Sequence, residues 1–260
     1  MTAMALLIVL GLSLLGALAW RRLQPSFHPL PEGSTLREGV LVALAGFLGT
    51  ELVFGLLARM IGLSDEPSLR IVLILRSVAG LILVGLTVAL LAARGSVGAL
   101  GLRRAGGPPA PLVAVVAWLA FFPVVMAVSW ANAELHEALG SDMQPQNWLA
   151  GFLDSPEARS SPLTWLSMVA VLPFCEEVFF RGGLYGGLRR VLSAPLAAAL
   201  SAVAFGLVHD PTYMLPTAVL GAALALLYER TGSLAAPVCF HALHNGVTLA
   251  MVNSHPELVN

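Results

Sequence analysis

Five apolar runs, each long enough to cross a bilayer and each holding at most three charged residues, dominate this chain; they occupy roughly 3–20, 39–62, 70–93, 110–131 and 162–184. A helix needs about 20 apolar residues to span the hydrocarbon layer. In lipid the backbone must satisfy its own polar groups, so such runs fold as helices. Shorter or interrupted runs cover 195–210, 214–228 and 234–253. The expectation is an all-α polytopic membrane protein of about eight transmembrane helices. It forms a single integral membrane domain over 1–260, with no room for a separate soluble domain.

Composition agrees with lipid as the solvent. Only 11% of the 260 residues are charged, whereas soluble domains average about a quarter. The net charge is −1, and all 14 basic residues are arginine. Without a clustered basic footprint there is no case for nucleic-acid binding. The arginine-only complement suits a GC-rich bacterium. Cys175 and Cys239 lie in apolar stretches and form neither a disulfide framework nor a CxxC motif. They read as small buried hydrophobes. The first run has no positive charge before it and Arg21 and Arg22 after it, so it reads as a membrane helix and not as a signal peptide.

Arginine placement orients the chain, because positively charged loops stay in the cytoplasm. With the N-terminus outside, the inner loops hold Arg21, Arg22, Arg37, Arg94, Arg103, Arg104, Arg189, Arg190 and Arg230, and the outer loops only Arg70 and Arg159. Nine against two predicts a bacterial cytoplasmic (inner) membrane protein with both termini outside. The longest connection, 132–161, is acidic and would lie outside, where a short amphipathic or re-entrant piece could act as a lid.

The stretch "LPFCEEVFFRGGLYGGL", 172–188, breaks the apolar pattern. A charge at a helix centre costs roughly 2.5–3.5 kcal/mol on insertion scales. Glu176, Glu177 and Arg181 must therefore face the bundle interior or a wet cavity. Glu177 and Arg181 are four apart and share a face, so they can pair. Glu176 points about 100° away and is left free. Pro173 can kink the helix just before the glutamates. Gly182, Gly183, Gly186 and Gly187 would admit closely approaching helices. Glu51 and Arg76 read as a separate interhelical pair, and Arg59 as a side chain reaching the outer interface.

"AFGLVHDP" places His209 near a helix end, one turn after Phe205, and "PVCFHALHNGV" puts His241 and Asn245 on one face with His244 close by. At about 1.5 Å rise per residue, Glu176, His209, His241 and Asn245 fall ~18, ~21, ~10 and ~16 Å above the inner surface. One shared site is feasible. A carboxylate, two histidines and a carboxamide can hydrolyse an amide with activated water. Glu176 and His209 would deprotonate the water, and His241 and Asn245 would donate to the oxyanion. No serine sits in a GxSxG context and no HExxH helix occurs. Glu176, His209 and His241 also match a catalytic zinc set. The residues leave the cofactor unknown: zinc fits the set, while the favoured mechanism does not require it.

Read as EExxxR (176–181), FxxxH (205–209) and HxxxN (241–245), these motifs follow one another on successive helices. The ordered triplet resembles the CPBP family of intramembrane proteases, which includes the type II CAAX prenyl endopeptidases and bacteriocin-processing or self-immunity (Abi-like) relatives. The resemblance implies endoproteolysis in or beside the membrane, with a catalytic core over about 162–253. It implies a membrane-associated protein or peptide substrate and membrane lipid as the other partner. It gives water activation to Glu176 and His209, oxyanion binding to His241 and Asn245, and support to Glu177 and Arg181. Both glutamic-type and metalloprotease chemistry stay open. Two other classes compete. A non-catalytic scaffold or immunity protein would tolerate Glu176→Gln. A proton-coupled transporter would be expected to show repeated halves, and no repeat is visible.

Overall fold

The computed structural model describes residues 35–64, 67–101, 108–141 and 146–256, together with Gly11, Leu14, Gly16, Ala17 and Leu18 of the first apolar run. The remainder of that run, with Arg21, Arg22, Arg103 and Arg104, lies outside the described residues. The described chain is helical throughout its ordered elements. The long helices are α1 (Leu36–Met60), α2 (Leu69–Ala93) and α3 (Ala110–Ala138). Two short helices follow, α4 (Asn147–Asp154) and α5 (Pro156–Ser160). Then come α6 (Pro162–Leu188), α7 (Ala194–Leu207), α8 (Met214–Thr231) and α9 (Ala235–Ser254).

Six of the described helices are long and apolar enough to cross a membrane, which is fewer than the eight expected. The first run is mostly undescribed. The run at 195–210 forms only the 14 residues of α7, about 21 Å of helix against a core of about 30 Å. Helix α3 also runs seven residues past the expected end at 131. The polytopic membrane architecture stands. Leu48, Leu52, Leu56, Leu86, Leu90 and Leu207 each expose more than half of their surface. In water such apolar helix faces would drive association; in lipid they are simply solvated. This is an integral membrane protein.

Local signals start and join the helices. Thr35 caps α1 in a reciprocal capping box with Glu38. Glu38 in turn accepts a 2.9 Å bond from Arg94, just past the end of α2, which closes α1 and α2 into an antiparallel pair. Gly232, at φ +59°, ends α8 in the left-handed conformation that glycine adopts without strain.

Helix α6 is the central element, with half of its apolar window buried against 6% for α1. Its glycines perform the packing role anticipated for them. A Cβ on Gly39 of α1 would stand 2.5 Å from the Gly183 carbonyl oxygen and 2.7 Å from the Gly187 Cα. The two helices therefore touch backbone to backbone. Near the end of α6, Glu229 of α8 accepts from Arg189 Nη2 at 2.9 Å and from the Tyr185 hydroxyl at 2.6 Å, which fixes α8 against α6.

Candidate active site

Helix α6 is not regular. It widens into π-type turns at Ser167–Val171 and Val178–Tyr185, on either side of the two glutamates. Such wide turns often mark functional positions. The first has a cause in the sequence. The Leu172 N–H bonds to the Ser167 carbonyl, and the next residue, Pro173, has no N–H to offer. The Met168 carbonyl is thereby left without either intrahelical donor. Asn245 of α9 supplies the missing bond, its Nδ2 donating to Met168 O at 3.0 Å.

Glu177 and Arg181 are completely buried and pair at 3.0 Å, four residues apart as expected. Arg181 also donates to the Gly221 carbonyl of α8 at 3.1 Å, and its guanidinium lies 4.5 Å from the centre of the Phe205 ring. The contact that spacing could not reveal is to His241. Its Nδ1 lies 2.8 Å from Glu177 Oε1, and its Nε2 lies 3.8 Å from Glu176 Oε2. A single imidazole thus stands between the adjacent glutamates. Glu176 is correspondingly less isolated than its helix face suggested, although about a third of its side chain is exposed.

His209 follows α7, with Nδ1 2.6 Å from the Phe205 carbonyl oxygen. A carbonyl only accepts, so Nδ1 carries the hydrogen and Nε2 is left as the lone-pair nitrogen. The adjoining turn is fixed by Asp210, whose carboxylate accepts from the Thr212 hydroxyl at 2.6 Å and the Thr212 N–H at 2.9 Å. These bonds hold the Asp210 carboxyl below its ordinary value.

Glu176, His209, His241 and Asn245 line one cavity of about 810 Å³, within the usual range for ligand sites. Glu177 and Arg181 are not in its wall and stand behind it. The wall holds three further features. Glu51 and Arg76 pair as expected, yet they are not separate from the site, because both line the same cavity. His244 lines it too, and its buried Nδ1 has no hydrogen-bond partner. Gln146 and Trp148, at the start of α4, close part of the wall, where the connection at 132–161 was expected to contribute a lid. Cys175 is a free, buried thiol packed toward Gly80, and Cys239 is free and half-buried.

Among the described residues no three His, Cys, Asp or Glu side chains are grouped as a metal ion would need. His209 Nδ1 lies against the Phe205 carbonyl oxygen and His241 Nδ1 against Glu177 Oε1, so each ring keeps Nε2 as its second nitrogen, with His241 Nε2 3.8 Å from Glu176 Oε2.

Residues 158–247 match the family model described as "Type II CAAX prenyl endopeptidase Rce1-like". This segment is similar to that family. It holds all three motifs, and the resemblance to CPBP-family proteases is borne out. The chain is also 29% identical over 132 residues to "Putative membrane peptidase YdiL" of Bacillus subtilis (strain 168), covering 50% of this chain and 53% of that protein. The chain thus spans about half the length of the curated relative it matches. No solved structure matches. The matched segment runs from α5 into α9 and contains the four polar cavity residues and the Glu177–Arg181 pair behind them.

Proposed function

We propose that the chain is an intramembrane endopeptidase that hydrolyses a peptide bond of a membrane-associated protein or peptide with water activated at Glu176. One observation carries this reading: Glu176, His209, His241 and Asn245, held by three different helical segments, border a single cavity.

Glu176 accepts a proton from water, whose oxygen attacks the scissile carbonyl carbon. The free His209 Nε2 accepts the second hydrogen bond of that water and aims its lone pair. General-base assistance of this kind contributes typically 10²–10⁴-fold. The tetrahedral oxyanion needs donors. Asn245 Nδ2 has two hydrogens, and the Met168 carbonyl uses one; the other serves the oxyanion. His241 donates Nδ1–H to Glu177, since an ionised carboxylate only accepts. Its Nε2 donates to the oxyanion when that nitrogen carries a hydrogen. Collapse of the intermediate breaks the C–N bond, and the leaving amine takes back the proton held by Glu176. Each of these steps uses only groups of this chain. Glu177 and Arg181 act through His241 as positioning residues.

The arginine distribution supports a bacterial cytoplasmic membrane with both termini outside, and places the acidic outer segments on the side of α4 and the His209–Tyr213 turn.

The test compares membranes from cells carrying wild-type protein, Glu176→Gln or a deletion, by quantitative profiling of peptide N- and C-termini. Termini that vanish equally in Glu176→Gln and in the deletion are expected. Identical profiles for wild type and Glu176→Gln, with a phenotype confined to the deletion, would replace the protease with a scaffold.

A further inference from the structure

The Glu51–Arg76 pair is not needed for the chemistry above, yet it borders the reaction cavity. It joins α1 to α2 through two hydrogen bonds, Arg76 Nη1 to Glu51 Oε1 and Arg76 Nη2 to Glu51 Oε2. A purely structural ion pair within a membrane bundle is expected to be shielded from solvent and lipid. This one is not: 40% of the arginine side chain and 43% of the glutamate side chain are exposed. Exposed charges at this depth are tolerated where they face a polar cavity.

Glu51 also has capacity left. Each carboxylate oxygen can accept two hydrogen bonds, and Arg76 uses one on each. Arg76 has a second support, since its guanidinium lies 5.0 Å from the centre of the Phe54 ring. It can therefore yield part of Glu51 to an incoming donor without being stranded. The sign of the wall favours such a donor. Among the described residues its formally charged side chains are the carboxylates of Glu51, Glu176 and Asp210 and the guanidinium of Arg76. In a low-dielectric enclosure this excess attracts cations.

We propose that Glu51, braced by Arg76, is a substrate subsite that binds a basic side chain, lysine or arginine, of the peptide being cut. This rests on the protease reading and names the class of sequence that the site selects. The bound ammonium or guanidinium donates to the free lone pairs of Glu51 while the scissile bond lies toward Glu176, so the basic residue stands at a defined distance from the cut.

Terminal profiling in membranes from cells expressing the full-length protein tests this, with wild type, Glu51→Gln, Arg76→Gln and the exchanged pair Glu51→Arg/Arg76→Glu each compared with Glu176→Gln, whose profile gives the uncut termini. Lysine or arginine should recur at one position near the Glu176-dependent cuts. Glu51→Gln should reduce cleavage at those sites about tenfold, as suits a partly solvated charge pair, while Arg76→Gln retains the basic preference. The exchanged pair keeps the ion pair but moves the carboxylate to α2; it should shift the preferred position of the basic residue. A wild-type profile from the exchanged pair, or an unchanged preference in Glu51→Gln, would overturn the subsite and leave a structural pair. So would a preference for acidic residues that Arg76→Gln abolishes. Termini that do not depend on Glu176 at all would instead remove the protease reading on which the subsite rests.

Discussion

Asn245 Nδ2 donates to the Met168 carbonyl at 3.0 Å, across 77 residues of chain. The bond exists because Pro173 has no N–H to offer that carbonyl. A proline in α6 thus orients a carboxamide in α9, and the oxyanion donor proposed here is positioned by a gap in a neighbouring helix ladder.

Pro173→Ala restores an N–H that can compete for the Met168 carbonyl, so Asn245 should lose its anchor. Cleavage rate is expected to fall about tenfold with KM little changed, while Asn245→Ala costs roughly 10²–10³ as for other oxyanion donors. The informative measurement is the double-mutant cycle. In the Asn245→Ala background, Pro173→Ala should have almost no further effect on rate. Additive losses would mean that Pro173 acts elsewhere in α6.

Arg181 neutralises Glu177 in complete burial. Arg181→Met should leave an uncompensated buried carboxylate and destabilise the protein by about 3–5 kcal/mol, whereas replacing both partners with apolar residues is often near neutral. Thermal unfolding in detergent micelles should therefore show a large drop for Arg181→Met and recovery of much of it in Glu177→Leu/Arg181→Met. The double variant should remain inactive, because His241 loses its acceptor. A double variant no more stable than the single one would show that the Gly221 and Phe205 contacts of Arg181, not its charge, hold the helices together.

Gly39 meets Gly183 and Gly187 backbone to backbone. Gly39→Val has no space for its side chain and should cost about 1–3 kcal/mol by overpacking, or detach α1 from α6. Gly55, on the same helix with open space around its Cα, is the control. Gly55→Val should leave the melting temperature nearly unchanged. Equal shifts for the two would refute the close-contact account.

Asp210 stabilises the turn beside His209 as a carboxylate with a lowered pKa. A depressed folded value means that the contribution is fully present above the unfolded carboxylate range, near 3.8, and is lost as pH falls through the folded value. The turn should thus stay intact through neutral and mildly acidic pH and loosen only in strong acid. Hydrogen exchange at the Thr212 amide, referenced to Asp210→Asn, measures this. Protection in wild type should exceed that of the variant at pH 6 and converge with it below the carboxylate range. A difference that persists at the lowest pH would assign the turn to the Asp210 hydrogen bonds irrespective of its charge.

Several features of this protein are legible in its sequence because their physics is local or absolute. Long apolar runs admit only helices in lipid, so the polytopic architecture follows directly. Charges in such runs are costly wherever they point, which is why Glu176, Glu177 and Arg181 stand out in the linear chain. The Glu177–Arg181 pair lies four residues apart on one helix, and spacing alone predicts its 3.0 Å contact. The glycines of α6 announce close packing, though not that Gly39 of α1 is the partner.

Tertiary structure decided the rest. His241 bonds to Glu177 across 64 residues, and no periodicity within either helix encodes that meeting. Glu51 and Arg76 could be paired from their types and depths, but only the packing of α1 and α2 against α6 puts them on the wall shared with Glu176. The π-type turns at Ser167–Val171 and Val178–Tyr185 alter the direction of side chains along α6, so a regular helical wheel misaims them. A residue's cost in lipid is a property of the residue, whereas its partner across the bundle depends on how whole helices settle against one another.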